Sequence, residues 1–73
     1  MRDVPIHTDY ITLGQLLKFV DLAHSGGHIK AMLADTKITV DGERDNRRGR
    51  KLYPGMIVVI DGAGTYRITE DHD

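Results

Sequence analysis

Seventy-three residues, 40 % of them hydrophobic and with a formal net charge of −1, suit one small folded domain and carry too much apolar surface for a disordered segment. A chain this short buries only roughly 60 % of its unfolded surface, which leaves little room for an enclosed substrate pocket and favours a binding module over an enzyme. Cysteine is absent, which removes disulfides, thiolate metal sites and thiol nucleophiles together and points to a reducing, cytoplasmic setting.

In chain order, the start MRDVPIHTDY has no signal-peptide core, and no apolar run approaches the ~18 residues of a membrane span. Residues 6–8 are a candidate first strand beside the last one. Residues 11–23, ITLGQLLKFVDLA, read as an amphipathic helix with Leu13, Leu16, Leu17 and Val20 on one face. Thr12 and Gln15 have the spacing of a capping box, and Ile11 with Leu16 that of a hydrophobic staple. HSGG interrupts the pattern. Ser25 then caps a second helix with Ile29, Met32 and Leu33 inward, ending near Asp35 or Thr36.

From Lys37 the hydrophobic period changes from helical to alternating. Ile38 and Val40 belong to a short strand that runs into an Asp41-Gly42 turn. The basic stretch DNRRGRKLYPG follows. Pro54-Gly55 is a turn, residues 56–60 a buried strand, Asp61-Gly62 another turn, and TYRI a last strand. Helices followed by strands predict an α+β fold, two helices packed on a small, mostly antiparallel sheet.

Charge becomes informative once mapped. Arg44, Arg47, Arg48, Arg50 and Lys51 sit within eight residues beside a single acid, Asp45, so this stretch carries +4 and the rest of the chain −5. A dense basic patch on an acidic body is the footprint of a polyanion site, although an ordinary charge run is more often a solvated loop. The density of arginine decides between them here, because its planar fork grips phosphate bidentately and stacks on bases. Gly49 lets the segment come close to a ligand, while Tyr53 has two readings, a base-stacking ring or a core residue beside Leu52.

SGGHIK is a second candidate. A helix start exposes unpaired N–H groups, glycines allow an anion close, and Lys30 adds charge one turn in; the plain alternative is a tight inter-helix turn. It is not a nucleotide-binding P-loop, since GxxxxGK[ST] is missing. His24 and His28 are four apart but straddle the Ser-Gly-Gly break, and His7 and His72 lie near the ends, so no metal site is expected.

The order of these features resembles the S-four-type RNA-binding domain, the alpha-L motif named after ribosomal small-subunit protein four. LGQLLKFV matches its first helix of the xLxxFL kind, and a Ser-led helix follows. ITVDG matches its V-x-V-N/D-G hairpin and LYPGMIVVI its V-x-x-G-D-x-I strand. ITLGQLLK, SGG…K and DNRRGRKLY look more closely like the stand-alone, YaaA-type bacterial members, over residues 11–62. The resemblance implies an alpha-L fold that binds structured RNA, often ribosomal RNA. It places the contacts on Ser25, Gly26, Gly27 and Lys30 of the helix start and on Asn46, Arg47, Arg48, Arg50 and Lys51 of the loop. Two positions depart from the pattern. Commoner members carry Arg after the Ser, where this chain has Gly26, and Met56 replaces a frequent Asp.

The expectation is therefore a single RNA-binding domain over 1–73, with its motif core at 11–62. It is expected to be non-catalytic, without cofactor or metal, off the membrane, and in the favoured case a monomer. Structured RNA, above all ribosomal RNA or a ribosomal subunit, is the expected partner. An adaptor that docks an acidic protein on the basic loop is the alternative. A sulfur-carrier reading fails on the terminal Gly-Gly such proteins need, since this sequence closes on TEDHD.

Overall fold

In the computed structural model, which describes residues 1–71, the chain runs β1 (Arg2–Ile6), β2 (Ile11–Thr12), α1 (Leu13–Phe19), α2 (Gly26–Asp35), β3 (Ile38–Val40), β4 (Glu43–Arg44), β5 (Lys51–Leu52), β6 (Ile57–Ile60) and β7 (Gly64–Glu70). His72 and Asp73 of the acidic tail lie outside the described residues.

The start of α1 follows from its capping box: Gln15 N–H donates to Thr12 Oγ1 at 3.2 Å and Thr12 N–H donates to Gln15 Oε1 at 2.8 Å. Its end comes earlier than the apolar spacing predicts, at Phe19 rather than Ala23. Asp21 takes a left-handed φ of 62°. Leu22 N–H then reaches back to Leu17 O at 2.9 Å and Asp21 N–H to Lys18 O at 3.1 Å, the paired bonds of a Schellman ending. Val20 and Ala23 still reach the core, so the periodicity marked buried residues correctly and the helix boundary wrongly. α2 begins where expected, with Ser25 Oγ accepting from His28 N–H at 3.1 Å, and buries Ile29 and Leu33.

Five strands form one sheet in the order β1-β7-β6-β3-β4. β6 lies antiparallel to both β3 and β7, whereas β1 runs parallel to β7 with Arg2 opposite Tyr66 and Ile6 opposite Glu70. The first strand therefore falls on residues 2–6, not 6–8. The physical reason is alternation: Val4 and Ile6 point into the core while Pro5, lacking an N–H, sits outward on an edge strand where Pro is tolerated. The sheet is mixed and larger than expected. A separate two-residue ribbon pairs β2 with β5, Ile11 opposite Leu52 and Thr12 opposite Lys51.

Two turns are set by local chemistry. Asp41 and Gly42, at φ 51° and 85°, make the two-residue link from β3 to β4. Pro54 followed by Gly55 at φ 96° closes on a Met56 N–H to Tyr53 O bond of 3.0 Å, a type II turn into β6. The helices cover one face of the sheet and the core between them is apolar, with Val4, Leu13, Leu16, Leu17, Leu52, Val58 and Ile68 fully enclosed. Among the described residues no polar or charged residue is fully enclosed in this core, and no helix is long and apolar enough to cross a membrane.

Candidate nucleic-acid interface

The basic segment is a folded loop, residues 45–50, between β4 and β5. Asp45 organises it. Its Oδ1 accepts Arg47 N–H at 2.9 Å and Arg47 Nε–H at 3.1 Å; its Oδ2 accepts Arg47 Nη2–H at 2.7 Å and Arg50 Nη1–H at 3.4 Å. The Asp45 side chain is only 9 % exposed, while that of Arg47 is 69 % exposed. One carboxylate thus bends the segment around itself and leaves arginine faces outward.

The Arg47 hydrogen bond lowers the Asp45 carboxyl from 3.8 to about 2, against burial, which pushes it up, and with help from the Arg47 and Arg50 charges. A depressed carboxylate stabilises the fold fully above its unfolded value and loses that contribution as pH falls through its folded value. Asp45→Asn should therefore destabilise the protein at neutral pH by about 1–2 kcal/mol, the full linkage value discounted for solvent screening. The gap from the unsubstituted chain should close between pH 3.8 and about 2. Denaturant midpoints measured down that range check it, and a gap that persists unchanged at the acid end would contradict the assignment.

The loop is docked on the first helix. Leu13 N–H donates to Arg50 O at 2.8 Å and Gly14 N–H to Arg48 O at 3.0 Å, so two first-turn donors that α1 cannot satisfy internally are met by loop carbonyls. Gly14 allows this approach, since a Cβ there would stand 2.9 Å from Arg48 Cγ. Sequence reading missed both Asp45 and Gly14. Each left a signal: an Asp two residues before an Arg can fold back on its own backbone, and a glycine inside an otherwise strong helix start is costly without a reason.

The expected site residues fall into two groups. Arg48 leans from the loop across the start of α2, its guanidinium 3.5 Å from where a Cβ of Gly26 would be. Lys30 of α2 joins Asn46 and Arg48 of the loop around one open depression of about 310 Å³, floored by Leu33 and Ala34. Arg47, Arg50 and Lys51 line a different depression of about 430 Å³ with Tyr53 and Met56. Ser25 is the helix cap, its hydroxyl occupied by His28 N–H, and Gly27 faces open space.

Residues 4–69 match the S4 domain family. The chain belongs to that family. The match takes in most of β1 and β7, so the strand pair that closes the sheet is part of the family unit, beyond the 11–62 span legible from motifs. The S4 domain described here is 48 % identical over 65 residues to the Bacillus subtilis (strain 168) protein named "Probable ribosome maturation protein RlbA", covering 89 % of this chain and 92 % of that one. In this S4 domain His24 and His28 sit with ring centroids 6.1 Å apart, and among the described residues no group of three or more His, Asp or Glu is placed to hold a metal ion.

Proposed function

We propose that this S4 domain is a non-catalytic module that binds structured RNA through its phosphates, and that the RNA is ribosomal. The observation that carries the reading is the shared depression in which Lys30 of α2 meets Asn46 and Arg48 of the loop. Cations from two separate elements converge there, Lys30 from the middle of α2 and Arg48 from the loop, and Arg48 also reaches back to Gly26 at the start of that helix. Arg48, lying against Gly26, supplies a guanidinium where commoner members of the family carry Arg after the Ser. Asp45 holds the loop in shape before binding, which limits the ordering entropy lost when a phosphate is gripped. The arginine cluster sits on a loop rather than on a helix that could enter a duplex major groove, which favours folded RNA over DNA. The name of the Bacillus relative, a ribosome maturation protein, supports a ribosomal particle as the target and a cytoplasmic role.

Sedimentation of cell lysate tests this. The protein should travel with a ribosomal subunit or an assembly particle at low salt and leave it at high salt. With about four to six phosphates contacted, log affinity should fall with log salt at a slope of about −3 to −5, roughly a hundredfold or more between 50 and 200 mM. Migration at the top of the gradient at both salts would sink the ribosomal reading. A salt-sensitive complex that survives RNase treatment would favour an acidic protein partner instead.

A further inference from the structure

The second depression contains something phosphate binding does not use. β2 pairs antiparallel with β5, Ile11 opposite Leu52, and the same register carried one residue further sets Tyr10 opposite Tyr53. Their rings lie 5.7 Å apart at 48°, and Lys51 Nζ stands 5.0 Å from the centre of the Tyr10 ring. Tyr10 is 38 % exposed and Tyr53 43 %, so neither closes the core; the third tyrosine, Tyr66, is buried. Leu52, fully buried between Lys51 and Tyr53, pins the ribbon from below. The Tyr53 side of this pair opens onto the depression lined by Arg47, Arg50 and Lys51.

We propose that Tyr10 and Tyr53, with Lys51, form a stacking platform for an unpaired base of the bound RNA; this rests on the RNA-binding reading and adds that the target is single-stranded at this point. Three cations beside one half-exposed ring can hold a phosphate while the base attached to it lies on Tyr53. Every base has a π-face, so such a platform selects unpaired over paired nucleotides without reading sequence. The backbone that carries both rings is held before binding: Thr8 Oγ1 donates to Tyr10 O at 2.7 Å, and Tyr53 O accepts from Met56 N–H in the Pro54-Gly55 turn.

The test compares two RNA probes with equal numbers of phosphates, a hairpin with an adenosine-rich loop and a fully paired duplex. The unsubstituted chain should prefer the hairpin, and its tyrosine fluorescence should be quenched by that probe alone. Tyr53→Ala should lose roughly tenfold in hairpin affinity, the effect expected of removing one base stack, and nothing on the duplex. Tyr53→Phe should retain the preference, and Tyr10→Ala should reduce it. Circular dichroism of each variant separates a lost platform from a lost fold. Equal affinity of Tyr53→Ala and the unsubstituted chain for the hairpin, or equal losses on both probes, would overturn the platform and leave the RNA reading standing. Failure of the unsubstituted chain to bind either probe would overturn the RNA reading and the platform with it.

Discussion

Lys30→Glu combined with Arg48→Glu should weaken RNA binding on the order of a hundredfold or more at moderate salt and flatten the salt slope by about 2, roughly one phosphate contact per residue. Both side chains are exposed and lie in the depression between α2 and the loop, so reversing them places repulsive charge on both of its walls. Stability should change by no more than about 0.5 kcal/mol, as for exposed sites outside a network. Arg47 is the wrong residue for this test. Arg47→Glu would set a second carboxylate against Asp45 and unmake the loop, so its effect on binding would mix charge with shape. Titration of labelled ribosomal RNA with the double variant measures the effect; unchanged affinity at two salt concentrations would remove this surface from consideration.

Gly14→Val should act on the same binding from the opposite side, with every cation retained. The added Cβ would meet Arg48 Cγ at 2.9 Å and Arg48 O at 3.4 Å, inside a buried first turn that also donates its N–H to that carbonyl. The loop must lift or the helix must shift. Overpacking of this kind costs about 1–3 kcal/mol, which for a domain of this size lowers Tm by roughly 4–8 °C per kcal/mol. RNA affinity should fall as well, because Arg48 would lose its position over Gly26. Thermal melts and RNA titrations side by side check this. A variant that melts lower but binds RNA as tightly would show that the loop's seat on α1 does not matter to the grip.

Only part of this surface is legible in the sequence. Arg47, Arg48, Arg50 and Lys51 are visible because charge density is a one-dimensional property. Ser25 and Thr12 are visible because capping is written in residue types three positions apart. What the chain does with Asp45 is not, because a single acid among five cations looks like dilution until its oxygens are seen to collect Arg47 and Arg50. Tyr53 stands between two readings in the sequence for a similar reason: alternation decides it only once β5 is known to exist and Leu52 to be its inward residue. The place of β1 beside the last strand is legible, but its bounds are not, because Val4 and Ile6 make an alternation of only two buried residues until β7 is set against it. Ends of elements suffered likewise, as at Asp21, where an Asp does the work usually given to glycine.

The pairing of β1 with β7 joins residues far apart in sequence, Asp3 to Arg67 by a salt bridge of 3.0 Å among them. Loop closure over that distance must be met before the contacts reward it, so the sheet gains little from being half made. β1 forms one edge and β4, which leads into the arginine loop, forms the other. A small domain built this way tends to be present whole or not at all. RNA held at the loop would then protect amide protons in β1, at the opposite edge of the sheet, because any ligand of the folded state draws the entire equilibrium towards it.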